Sequence, residues 1–205
     1  MTNEILQATL QHVIIVVVAV AIAAAIGMPI AIAAVRHPRW GRRFLRVVDV
    51  IQTIPSLALF GFLIPLPFLG GIGVRTAIVA LVLYSLLPIV RNTVTGITGI
   101  DPLVREAATV MGMTDRQRLY SIELPLAMPS ILAGLRVATV IAIGVATIGA
   151  AVGGGGLGTL IFRGVAMVDT TRILSGALPA AALALLADLL FSAIESFAAR
   201  RWGGQ

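Results

Sequence analysis

A chain of 205 residues that is 59% hydrophobic and only 12% charged, with mean hydropathy +1.03, is excluded from the soluble globular class, in which about a quarter of residues are charged. It reads as one all-α, polytopic membrane domain over residues 1–205, since no long polar linker divides it. The net charge of +6 rests on fifteen arginines and no lysine, placed in short loops between apolar runs, which points to membrane orientation and away from nucleic acid.

Cysteine is absent, which excludes disulfides, thiolate catalysis and a cysteine metal site. The two histidines, His12 and His37, have no partner at ligand spacing; both read as interfacial residues, and no metal site is expected. Residues 1–8 carry no Arg or Lys, so the charged region that opens a secretory signal peptide is missing and the first span is expected to be retained.

That span covers residues 10–35, enough for a hydrocarbon core that takes about 20 residues, with Gly27, Met28 and Pro29 as an expected kink. The loop RHPRWGRRFLR follows, with Arg36, Arg39, Arg42, Arg43 and Arg46 around Trp40. By the positive-inside rule it lies in the cytoplasm and the N-terminus outside. The second span, 44–66, is interrupted at Pro55 and Ser56, so irregular backbone lining a cavity is expected there. A short external turn from Pro67 to Arg75 leads to the third span, 76–96, which bears Tyr84, Pro88, Arg91 and Asn92.

Residues 101–125, DPLVREAATVMGMTDRQRLYSIELP, are the longest polar interval. Asp101 is placed to cap a helix with Pro102 at its first position. Gly112 is placed to break that helix, a second start falls at Thr114 or Asp115, and Pro125 is expected to end it: a helical hairpin on a membrane surface. Small Ala107 and Ala108 would let another protein approach the backbone, Glu106 sits where a helix N-terminus favours a carboxylate, and Arg105, Arg116 and Arg118 would add polar contacts at the rim.

Glu106, Ala107 and Ala108, then Gly112, then Ile122, Glu123, Leu124 and Pro125 stand at the separations of the EAA loop; the chain resembles the permease subunits of bacterial ABC importers. The resemblance implies that residues 101–125 couple to a cleft in a separate ATPase subunit, with Arg105, Glu106, Ala107, Ala108, Gly112 and Met113 at the contact. It also implies alternating access, a second permease subunit, identical or homologous, an extracytoplasmic solute-binding protein, and a place in the inner membrane. Without lysine no Walker A cradle exists on this chain, so ATP and Mg are expected on the partner ATPase and this chain is not an enzyme.

The fourth span, 129–151, is rich in Ala, Gly and Thr and is expected at the bundle's centre, where small residues permit close packing. In the external connection after it, Gly153, Gly155 and Gly158 satisfy G-x-G-x-x-G, but a dinucleotide loop needs a strand before it. The run VGGGGLG is similar instead to a glycine-rich segment of osmoprotectant and methionine permeases. Gly153, Gly154, Gly155, Gly156 and Gly158 then serve an outer gate or hinge through close packing, or form a merely flexible turn. The fifth span, 173–198, ends at Arg200, Arg201 and Trp202. Five spans put the C-terminus in the cytoplasm, with eleven arginines inside and Arg75, Arg163 and Arg172 outside.

Charges inside spans are costly, so Arg136 is expected to pair structurally with Asp188 or Glu195, a reading preferred over a direct role in meeting substrate; depth alone leaves both partners open. The segments 53–66, 80–97, 123–140 and 173–190 resemble permeases for glycine betaine, carnitine, choline and proline. A quaternary ammonium is typically held by an aromatic cage, yet the chain has two Trp and two Tyr; high-affinity recognition is expected on the binding protein, with Tyr84, Phe60 and Phe62 as the few aromatics that either face a path or belong to lipid-facing core. The alternatives are the same architecture importing methionine or another small amino acid or amine, and a nucleotide-independent channel or secondary carrier.

Overall fold

The computed structural model describes residues 2–67 and 69–202, with Trp202 by its backbone alone. Phe68, in the expected external turn, lies outside the described residues. Helix α1 (Thr2–Arg36) begins well before the expected span, because the polar first turns continue the helix. Its backbone remains helical through Pro29, and Gly27 serves as a contact point: a Cβ there would meet Ile89 and Val90 of α4 at 3.2 and 3.3 Å.

The arginine-rich stretch is a helix rather than a loop. With Pro38 in its first turn, α2 (Pro38–Thr53) starts after His37 and turns Phe44, Leu45 and buried Val48 toward Leu86 and Leu87, leaving Arg39, Arg42, Arg43 and Arg46 exposed. Trp40 stacks on Phe44 with ring centroids 5.4 Å apart. The second span is interrupted where Pro55 and Ser56 predict it: α2 and α3 (Ser56–Leu63) meet at a bend of 101°. Pro55 offers no N–H and holds Ile54 extended, at ψ 125°. Tyr84 secures the bend by donating its hydroxyl to the Ile54 carbonyl, while Gln52 donates to the Tyr84 carbonyl at 2.7 Å.

Helix α4 (Val74–Thr98) is the most enclosed helix, a place the sequence had assigned to the fourth span. It packs on α1, α2, α3 and α7. The small residues of α7 (Leu124–Gly149) explain the closeness: a Cβ on Gly134 would meet Asn92 Cβ and the Pro88 oxygen, both at 2.8 Å, and one on Gly96 of α4 would meet Ser130 Cβ at 2.7 Å. Between α4 and α7 lie α5 (Pro102–Val110) and α6 (Asp115–Arg118).

Pro125 does not end a helix. A π turn, Leu119–Glu123, carries α6 directly into α7, with Leu124 N–H bonded to the Leu119 oxygen. Pro125 is the second residue of α7, just past the π turn, and does not interrupt the run. After a 3₁₀ turn, Ala150–Val152, and the glycine run, α8 (Leu157–Met167) occupies what had been read as connection; α9 (Thr170–Trp202) closes the chain against α7 and α8. Among the described residues, four helical runs are long and apolar enough to cross a membrane: α1, α4, residues 115–152, and α9. The bent α2–α3 pair makes a fifth if it crosses as one.

Candidate functional site

The polar interval folds as two short helices about Gly112. Asp101 caps α5, its carboxylate accepting the Leu103 N–H at 2.8 Å. Gly112 takes φ 78°, a left-handed conformation that needs no Cβ. Thr114 and Gln117 form a reciprocal capping box at the start of α6, Gln117 Oε1 accepting the Thr114 N–H at 2.8 Å.

The two adjacent alanines part company. Ala107 is exposed, whereas Ala108 is 1% exposed and packs inward, so only Ala107 offers a bare approach. Glu106 is exposed and has no ion-pair partner among the described residues, and Met113 is half-buried. Around Ala107 stand apolar side chains that nothing on this chain covers: Leu103 at 70%, Val110 at 83% and Met111 at 78% exposure. An exposed apolar patch of this kind has the composition of a protein contact.

The arginines expected at the rim are turned inward. Glu123, 3% exposed at the end of the π turn, is met by Arg36 at 3.2 Å, Arg118 at 3.3 Å and Arg105 at 3.7 Å. Arg105 also donates to the Ile97 carbonyl of α4, and Arg118 to Asp115 at 2.7 Å and to Thr109 Oγ1 at 3.1 Å. Arg116 alone remains outside, over the Tyr120 ring at 5.9 Å. Sequence reasoning missed Leu103, Val110 and Met111, and it took Glu123 only as a motif position and Arg36 only as a loop charge; the available signal for their pairing was a carboxylate at the mouth of an apolar helix.

The glycine run at the other end is packed, not loose. Gly153, Gly155 and Gly156 have φ of 78°, 78° and 71°. A Cβ on Gly154 would meet the Gly149 oxygen at 2.7 Å and Ala77 Cβ at 2.8 Å, and one on Gly158 would run into the Thr147 carbonyl. Gly156 N–H donates to Gln11 Oε1 at 3.0 Å. The loop thereby covers His12, read as interfacial but 1% exposed, with Nε2 at 3.1 Å from the Ile143 oxygen.

Between the ends, Arg136 of α7 forms a two-pronged bond to Asp188 of α9, at 2.6 and 2.8 Å, and reaches Glu195 at 3.6 Å. Both partners left open by the sequence are thus engaged. The three line a cavity of about 340 Å³ with Ala133, Val137 and Val140. Phe60 and Tyr84 are buried in the core under the α2–α3 bend, which leaves Phe62, at 66% exposure, as the one of the three path candidates with an open face.

Residues 23–203 match the family described as binding-protein-dependent transport system inner membrane component. The chain is 46% identical over 192 residues to the glycine betaine/carnitine/choline transport system permease protein of Bacillus subtilis, covering 93% of this chain and 82% of that one. It is 44% identical over 189 residues to the osmoprotectant import permease protein of Salmonella typhimurium, covering 91% and 88%. Among solved structures, an inward-facing methionine ABC transporter matches with TM-score 0.88 at 21% identity over 97% of both chains, a likeness of fold alone.

Proposed function

The chain belongs to the family of binding-protein-dependent transport inner membrane components, and from that premise we propose that it moves a quaternary-ammonium osmoprotectant of the glycine betaine, carnitine and choline class through a machine powered by separate ATPase subunits. The solute class rests on the names of relatives that share nearly half of its residues. Methionine is the cargo named for a neighbour similar only in fold, which gives it less support here.

The observation that carries the mechanism is the surface of α5. A short helix and its C-cap exposing Leu103, Ala107, Val110 and Met111, beside a Glu106 with no ion-pair partner among the described residues, suit entry into a cleft on another protein. Two ATPase subunits hold ATP and Mg, and nucleotide-driven closure displaces residues 106–113. A second permease, identical or homologous, completes the path, and an extracytoplasmic binding protein delivers solute. The α2–α3 pair counts as one crossing, giving five spans with the N-terminus outside, and the hairpin and C-terminus in the cytoplasm. Irregular backbone at a bend of 101° suits a helix that borders the path, and Gly153, Gly154, Gly155, Gly156 and Gly158 form a close-packed element of the outer gate.

The test uses the permease purified with its ATPase subunits and reconstituted with binding protein. Glu106→Arg and Gly112→Val are expected to abolish solute-stimulated ATP hydrolysis, and unlabelled betaine, not methionine, to compete with labelled betaine for uptake. Intact stimulation in both assembled variants would overturn the coupling reading; competition by methionine alone would overturn the solute.

A further inference from the structure

We propose that Glu123 is a positioning residue of transport: the buried carboxylate through which displacement of α5 is passed to α1 and α7. The inference rests on the coupling reading of the hairpin and goes beyond it, because Glu123 is 3% exposed and so lies behind the docking surface.

Three elements converge on that one carboxylate. Arg36 is the last residue of α1 and contacts Oε2; Arg105 lies in the middle of α5 and Arg118 ends α6, and both contact Oε1. Glu123 is the last residue before α7. The secondary bonds widen the junction: Arg105 holds the Ile97 carbonyl of α4, and Arg36 donates to the Asp115 backbone oxygen at 3.4 Å. Arg105 is therefore the α5 side chain that reaches both the bundle's most enclosed helix and the base of α7.

The chemistry suits transmission. Arg36 and Arg118 make charge-assisted, geometrically demanding hydrogen bonds to the carboxylate. Arg105 stands at an ion-pair distance of 3.7 Å with its Nε making no hydrogen bond, and the burial of Glu123 shields the cluster from the salt that weakens exposed pairs. A force applied to α5 through Arg105 is opposed at Glu123 by two more guanidiniums anchored elsewhere, so the elements shift together. Without the carboxylate, three cations would face one another across a few ångströms and separate. Local folding does not require this: α5 already has its Asp101 cap, and α6 its capping box. The junction also falls on a π turn, a rare conformation frequent at functional sites.

Glu123→Gln keeps the shape and removes the charge. In proteoliposomes holding permease, ATPase subunits and binding protein, labelled glycine betaine uptake and ATP hydrolysis are measured on the same preparation. Uptake per ATP is expected to fall about tenfold, the size of a lost charge-assisted hydrogen bond, while hydrolysis by the assembled complex stays near wild type. Simple structural damage would instead lower both together and leave their ratio unchanged. A wild-type ratio in Glu123→Gln overturns the clamp alone; wild-type vesicles showing no ATP-driven uptake overturn the coupling reading and the clamp with it. If Glu123→Gln does not assemble, Arg36→Gln, which removes one arm and leaves two, decides: a reduced ratio supports the clamp, an unchanged ratio overturns it.

Discussion

The two ends of the bundle join helices across a turn with opposite materials. At the hairpin, long arginine side chains gather on one carboxylate, and α5 keeps most of its surface uncovered. At the glycine loop, backbone lies directly on backbone, with Gly154 against Gly149 and Gly158 against Thr147. Side chains on flexible stems can follow a moving helix while keeping their bonds, whereas atoms already at contact distance have nothing to give. The hairpin end is thus built to be displaced, and the glycine end to hold its shape or move as a block.

Four substitutions would break or sharpen that contrast, read by thermal unfolding of the purified protein. Gly158→Ala is expected to do most damage, about 3 kcal/mol or more, because the new methyl meets a carbonyl that cannot swing aside; a loss below about 1 kcal/mol would show the loop to be pliable after all. Ala108→Leu comes next, at about 1–3 kcal/mol for overpacking the one buried alanine of the pair. Gly112→Ala has open space around it and is expected to cost only the left-handed backbone penalty of about 1–2 kcal/mol. Ala107→Leu should leave stability within about 0.5 kcal/mol yet reduce retention of the ATPase subunits on affinity-purified permease. Equal retention would remove Ala107 from the docking surface.

Most of the architecture was legible because long apolar runs have one solution in lipid, a helix that satisfies its own backbone; α4 and α9 lie within a few residues of their predicted spans. The start of α2 was lost because four arginines were weighed as a loop's charge, although their spacing, opposite Phe44, Leu45 and Val48, already described two faces of one helix. At the candidate site, the turn at Gly112 and the Asp101 cap followed from local chemistry. The inward turn of Arg105 and Arg118 did not, since it depends on the fold burying Glu123 between them, beside Arg36 from 87 residues earlier in the chain. Nor can spacing say which of two neighbouring alanines faces inward before α6 has docked. The Arg136 pairing was foreseeable in kind, opposite charges being the cheapest company inside a span, but engagement of both acids required the register of α7 on α9.

The π turn at Leu119–Glu123 makes chain length itself a carrier of information. One residue subtracted there would let an ordinary α-helix run through, and each residue of such a helix advances the azimuth by about 100°. The hairpin would then be indexed to the wrong side of α7 although every side chain in it was intact. Deletion of exposed Ser121 is accordingly a sharper instrument than any replacement, because it changes the phase of the joint and leaves Arg36, Arg105, Arg118 and Glu123 in the chain.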